Sequence, residues 1–298
     1  MAQSATDALA ALSEAIADRV AATSPLLLAL RGTKGRPLNA IAWRPDLIVT
    51  SEQALPTHGT HMAVLPGEEE IAATLVGRDP GTNVAILRPE RQLPTPGLTQ
   101  AEAPRPGSLV LLVGAGPTAQ VGVVQEVGPA WHSMAGGRID LLLRLDLRAG
   151  RGGEGGLVLD AAGSALGMAA AGPRGQMLVI PTATVEASLG PLAAEGRVAR
   201  GWLGVGLQPV TIPPTLRESA GQDQARMIVG IEPGSPAEQA GLLPGDIVLT
   251  LDGLALGDLR ALRACLGPDS IGQSIEVRLL RGGTTETRAI VVGVQPKG

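Results

Sequence analysis

The segment Gly152-Gly153-Glu154-Gly155-Gly156 sets four glycines around one carboxylate. Clustered glycines let a backbone turn sharply enough for successive N–H groups to point at one spot, where they can stabilise the negative oxygen developing on an attacked carbonyl. Bases to drive such an attack are scarce, because His58, His61 and His132 are the only histidines. His58-Gly59-Thr60-His61, joined by His132, is also the one candidate metal constellation, since imidazoles three residues apart converge in a turn. Such histidines are more often solvated loop residues, and no carboxylate of fixed geometry adjoins them. Cys265 is the single cysteine, so an intramolecular disulfide and a zinc-thiolate site are excluded, and it reads as a small buried hydrophobe. No cofactor is expected.

The elements that must position these groups are mostly short strands. Between residues 26 and 181, apolar runs alternate with Gly, Pro and Asp: Leu26–Arg31, Leu38–Trp43, Leu47–Thr50, His61–Leu65, Glu70–Val76, Val84–Arg88, Leu109–Gly114, Val121–Val127, Ile139–Asp146, Leu157–Asp160, Ala165–Ala171 and Met177–Ile180. Strands at that spacing form a sandwich or a barrel. Ahead of them, Leu9, Leu12, Ile16 and Val20 recur at helical spacing and predict an amphipathic helix. A short helix is expected at Thr184–Leu189, and the small-residue stretch Gly190–Val198 lacks periodicity and reads as a linker. Beyond it, five strands and two helices predict a compact second domain, with strands at Leu203–Leu207, Met227–Glu232, Ile247–Leu251, Ser274–Leu280 and Glu286–Val292 and helices at Pro236–Ala240 and Leu256–Leu266. The expected organisation is an N-terminal helix over 1–24, a β domain over 25–189, a linker over 190–199 and a second domain over 200–298.

Composition narrows the function. The 298 residues carry 41 Gly and 24 Pro and no Phe or Tyr, so the cores must be filled by aliphatic side chains. A net charge of −4, with Lys and Arg scattered, argues against nucleic acid as a partner. The longest apolar run, Leu26–Leu30, is far shorter than the roughly 20 residues of a membrane-spanning helix. The first 23 residues lack the basic start and apolar core of an export signal, which makes the cytoplasm the expected location, or the periplasm if a leader was trimmed.

The glycine turn and the strand after it, Gly152 to Met168, resemble the Gly-Asn-Ser-Gly-Gly segment of trypsin-like serine proteases, most closely the HtrA/Deg branch. Leu47 to Leu55 is similar to that family's histidine-bearing turn and places Gln53 on the histidine position. Val76 to Leu87 is similar to its aspartate-bearing segment and places Asn83 there. Glu154 takes the nucleophile's position, with Gly152 and Gly153 in the former oxyanion loop. The resemblance implies a mainly β fold, a trypsin-like double β-barrel, with all three catalytic positions replaced. An amide at position 53 cannot take a proton at useful pH, Asn83 supplies no negative charge, and Glu154 is a poor acyl acceptor. Arg148, six residues before Glu154, falls on the floor of the family's specificity pocket. It could pair with Glu154 or an acidic ligand, or simply face water.

Arg200-Gly201-Trp202-Leu203-Gly204-Val205 is similar to the carboxylate-binding loop of HtrA-type PDZ domains, and Ile231 to Leu242 with Pro244-Gly245-Asp246-Ile247-Val248 is similar to their central signature. The resemblance implies an α+β PDZ domain. Its loop N–H groups would converge on a peptide's terminal carboxylate, its strand edge would receive the chain, and Leu259, Leu262 and Leu266 would form the opposite wall. The expected function is a pseudoprotease that binds polypeptide C-termini or unfolded segments as scaffold, adaptor or chaperone-like regulator. The alternatives are a hydrolase with a displaced catalytic arrangement and a metal-binding protease-like protein. Family members commonly form trimers held by aromatic residues near the N-terminus; this chain has none before Trp43, so a homotrimer, or mixed assembly with an active relative, is implied by resemblance alone.

Overall fold

The computed structural model describes residues 2–31, 37–56, 61–93, 95, 97–116, 118–148, 152–256, 262–263 and 265–296. The chain divides into two compact units, Met1–Trp131 with Ile139–Val198, and His132–Arg138 with Ala199–Gly298.

The first unit opens with α1 (Ala2–Thr23). Ile16 and Val20 pack against the core, whereas Leu9 and Leu12 of the same stripe stand exposed. A closed barrel follows, built from β1 (Leu27–Arg31), β2 (Leu38–Arg44), β3 (Leu47–Ser51), β4 (His61–Val64), β5 (Glu70–Asp79) and β6 (Val84–Pro89), in the order β1-β2-β3-β6-β5-β4. Next in the chain come β7 (Leu109–Gly114), β8 (Thr118–Gly128), the two-residue strands β9 (Trp131–His132) and β10 (Arg138–Ile139), β11 (Leu142–Arg148), β12 (Leu157–Asp160), β13 (Ala165–Ala171) and β14 (Gln176–Pro181). All of these except β9 and β10 close a second barrel, ordered β11-β14-β13-β12-β7-β8.

The buried strands show why the two barrels hold a fixed relation. Every residue of β3 is buried, because successive side chains point to opposite faces and both faces are covered. Ile48 packs inside the first barrel with Ala85 and Leu87, while Val49 packs with Leu157 and Leu159 of β12 in a core shared between the barrels. Val158 faces the second barrel's own interior. The ends of β3 and β12 are thereby locked beside one another by packing on both sides.

The helix after β14 corrects the expected short helix and linker. Helix α2 (Thr182–Glu195) runs through Gly190 and Pro191 and ends at Gly196, whose left-handed φ of 75° closes its last turn. Val185, Leu189 and Leu192 anchor it in the shared core. That burial carries the helix through two residues of poor propensity, an outcome that local pattern alone does not reveal.

In the second unit a sheet of order β16-β17-β18-β20-β21 is formed by β16 (Val205–Thr211), β17 (Gln224–Ile231), β18 (Ile247–Leu251), β20 (Ser274–Arg281) and β21 (Thr284–Val291), with β19 (Leu254–Ala255) beside β18. Helices α3 (Arg217–Ala220) and α4 (Pro236–Gln239) and a short pair, β15 (Gly201–Trp202) with β22 (Gly293–Val294), complete it. The expected strand at Leu203–Leu207 starts two residues later and runs to Thr211, which leaves Leu203 and Gly204 in a loop. Of the expected helix at Leu256–Leu266, Leu262, Arg263 and Cys265 are helical, while Leu259 lies outside the described residues.

Candidate functional site

Three turns meet at the barrel ends. Gln53 follows β3, Asn83 precedes β6 and Glu154 precedes β12. Pairing of Ser51 with Val84 sets the β3–β6 register and brings Asn83 beside the β3 turn, where Glu52 N donates to Asn83 O. The result is one hydrogen-bonded group: Gln53 Nε2 donates to Glu154 Oε1 at 2.6 Å and to Ala171 O at 3.0 Å, and Gln53 N donates to Asn83 Oδ1 at 2.8 Å. The structure therefore unites the three residues singled out from the sequence.

Ser51 is a member that sequence reasoning missed. Its fully buried hydroxyl has one proton and two acceptors in reach, Glu154 Oε1 at 2.7 Å and Asn83 Oδ1 at 3.1 Å. Buried in this way it ties the group together and is not open to a substrate. Arg78 was missed too. Its guanidinium donates to the Glu52 carboxylate and to the carbonyls of Glu52, Leu55 and Pro56, which clamps the turn carrying Gln53. The Arg78-Glu52 pair is separated by 26 residues, so no local pattern announces it.

The glycine turn is held by Asn39 of β2. Its Nδ2 donates to Gly152 O at 2.6 Å and Glu154 O at 3.1 Å, and its Oδ1 accepts from Ala115 N. Gly155 has a φ of +78°, and a Cβ there would lie 2.2 Å from Asn39 O. A side chain is thus excluded by backbone strain and by backbone contact together. At Gly153 a Cβ would meet the end of Met177 at 2.8 Å.

Arg148, at the end of β11, is exposed, and among the described residues it forms no ion pair with Glu154. The carboxylate takes its hydrogen bonds from Ser51 and Gln53 instead. His61 is buried on β4; burial, and then the charge of Arg78, hold its imidazole below the usual histidine pKa. Its Nδ1 has no hydrogen-bond partner among the described residues. Among the described residues no group of three or more His, Cys, Asp or Glu side chains is arranged to hold a metal, and His58 lies outside them. The Cys265 thiol is half-buried, and its pKa is raised by burial and by Asp252.

The second unit presents a groove where the sequence places its loop. Gly201, Trp202, Leu203, Gly204, Val205, Leu262 and Leu266 all line one cavity of about 360 Å³. Leu203 O accepts from Ala237 N and Gly204 O from Glu232 N. Across a trans peptide the next N–H points opposite to such a carbonyl, so Gly204 N–H is turned away from α4 and Val205 N–H from Glu232. Among the described residues no group accepts from the N–H of Leu203 or Gly204. Gly204 has φ +76°, and a Cβ there would sit 2.2 Å from Ser235 Cβ. The loop depends on glycine at 204, and among the described residues its Leu203 and Gly204 N–H groups are open.

Comparison with known proteins agrees with both halves. Residues 39–168 match the trypsin-like peptidase domain model, and residues 201–292 match the PDZ domain model. The chain belongs to the HtrA/Deg family. A relative in Rhizobium meliloti (strain 1021), a probable periplasmic serine endoprotease of the DegP-like type, is 30% identical over 84% of this chain and 51% of its own. The chain thus spans about half the length of the curated relatives it matches. Among solved structures, an HtrA-type protease, AlgW, with a tripeptide is 27% identical with a TM-score of 0.69, covering 95% of this chain and 98% of that one. The same protease with a decapeptide gives a TM-score of 0.72 at 24% identity, covering 95% and 99%.

These HtrA relatives overturn the expected cytoplasmic location. The first curated matches are named periplasmic, and the expectation rested only on the absence of a leader pattern in the first residues. Among the described residues no helix is long and apolar enough to cross a membrane.

Proposed function

We propose that this HtrA/Deg member is a non-hydrolysing relative that binds polypeptide C-termini through the groove of its second unit, as a scaffold, adaptor or chaperone-like regulator. The observation that carries the reading is the hydrogen bond from Gln53 Nε2 to Glu154 Oε1. At the place where a triad needs a base facing a nucleophile, a neutral amide donates to a carboxylate. An amide nitrogen, its lone pair delocalised into the carbonyl, takes no proton at useful pH, and a carboxylate that already accepts two hydrogen bonds is a weak nucleophile. Asn83 Oδ1 accepts from Gln53 N, so it holds a backbone and not an imidazole. Binding to a preformed glycine turn would leave only about 10³–10⁴-fold acceleration over water. In support of the binding role, the N–H groups of Leu203 and Gly204 are open beside the apolar side chains of Leu203, Val205, Leu262 and Leu266.

Turnover of casein and of labelled peptides tests the first half. None is expected from the wild-type chain, and any residual signal should persist unchanged in Glu154→Ala and Gln53→Ala as contamination. Turnover that disappears with either substitution overturns the reading. The second half predicts that peptides with a free carboxylate and an apolar last residue bind and that their C-terminal amides do not. Equal binding of both forms refutes it.

A further inference from the structure

The proposed groove carries a charge that a terminal carboxylate leaves unmatched. Besides the loop and the leucine wall, its cavity is lined by Arg200 and Arg263 and by no aspartate or glutamate among the described residues. Arg263 follows Leu262 on the helical wall and is half-buried. Unlike Arg78, Arg144 and Arg281, it forms no ion pair or hydrogen bond with a described residue. Arg200 donates to Gly136 O and has a further partner, so the charge at issue is that of Arg263 alone. A partly desolvated guanidinium with no counter-charge among the described residues is an attractive site for a carboxylate, because charge-assisted hydrogen bonds are about twice as strong as neutral ones.

The loop already supplies open N–H donors for one carboxylate. We infer that Arg263 selects a second one, so the preferred ligand is a peptide with an apolar C-terminal residue and an aspartate or glutamate among the residues just before it. The inference rests on the peptide-binding reading above and names its ligand class. Leu262 and Leu266 fix the apolar end of the site, and Arg263 sets the charge beside them. Trp202 lines the same cavity and reports occupancy by its fluorescence.

The test is a Trp202 titration of the full chain with hexapeptides that end in a free apolar residue and carry Glu, Gln or Lys in turn at each of the three preceding positions. At one of those positions the Glu peptide is expected to bind about three- to tenfold tighter than the Gln peptide at low salt, and the Lys peptide more weakly than both. The advantage should shrink in 0.5 M salt, vanish in Arg263→Gln and reverse in Arg263→Glu. A thermal unfolding curve of Arg263→Gln that matches wild type serves as the folding control. If that control fails, the salt dependence in the wild-type chain decides. Equal binding of Glu and Gln peptides at all three positions, or a Glu preference that survives in Arg263→Gln, overturns the inference and leaves the peptide-binding reading standing. Absence of binding by every free-carboxylate peptide overturns both.

Discussion

The barrel cleft and the second unit's groove are each built on a glycine turn, yet they treat their polar groups in opposite ways. In the cleft the donors and acceptors are spent internally: Gln53 on Glu154 and Ala171, Ser51 on Glu154, and Asn83 on Gln53. In the groove the carbonyls of Leu203 and Gly204 are satisfied by Ala237 and Glu232, while the N–H groups of the same two residues have no acceptor among the described residues. An unpaired polar group gains free energy from a ligand, whereas a paired one must first give up its partner. The contrast teaches that two glycine turns of similar build can differ in how much hydrogen-bonding capacity they leave open.

The glycines offer the largest break of this comparison. Gly155→Ala drives a Cβ against Asn39 O, and Gly204→Ala drives one against Ser235 Cβ. Each also imposes a left-handed φ on alanine, for a cost of roughly 2–4 kcal/mol in its own unit. Thermal unfolding should show Gly155→Ala destabilising the barrels while peptide titration stays near wild type. Gly204→Ala should do the reverse and lose peptide affinity by tenfold or more. A Gly155→Ala chain that is folded but no longer binds peptide would show that the two sites are not separable.

The next effect is specific to the groove-bearing unit and depends on pH. Burial alone would raise the Asp246 pKa, but hydrogen bonds from Arg281 and Leu243 N and the charges of Arg281 and Arg288 outweigh it and hold the carboxyl below its usual range. A depressed folded pKa means that the stabilisation is fully present above the unfolded value near 3.9 and is lost as pH falls through the folded one. Asp246→Asn should therefore cost the second unit about 2 kcal/mol at neutral pH. Melting curves between pH 7 and 2 should converge with those of wild type at the acid end. Parallel curves at all pH values would assign the loss to packing.

The smallest effect sharpens the cleft side. In Glu154→Ala, Ser51 keeps Asn83 Oδ1 as an acceptor and Gln53 keeps Ala171 O, so the change should cost under about 1 kcal/mol and leave peptide affinity unchanged. Denaturant titration measures it. A loss of several kcal/mol would mean that the carboxylate braces the barrels.

Much of this was legible in the chain. The alternation of apolar residues with Gly, Pro and Asp located most strands to within a few residues, because pleated half-buried strands require that period. The positions of Gln53, Asn83 and Glu154 followed from the residues around them, as did the glycine-led loop from Gly201 to Val205. Arg148 drew attention by its sequence offset alone, and it stands exposed and apart from Glu154. The length of α2 was hidden because Gly190 and Pro191 argue locally against helix while Leu189 and Leu192 hold it by tertiary burial.

Residue types by themselves marked an amide at position 53 and where the backbone must turn, since only glycine tolerates φ near +78° at Gly155, close against the backbone carbonyl of Asn39. Only the tertiary structure decided which groups remain open. Ser51, Asn39 and Arg78 close the cleft across separations of 103, 115 and 26 residues to Glu154 and Glu52, and Arg263 forms no ion pair among the described residues at the groove. Pairing is a property of distance in space, and folding alone sets those distances.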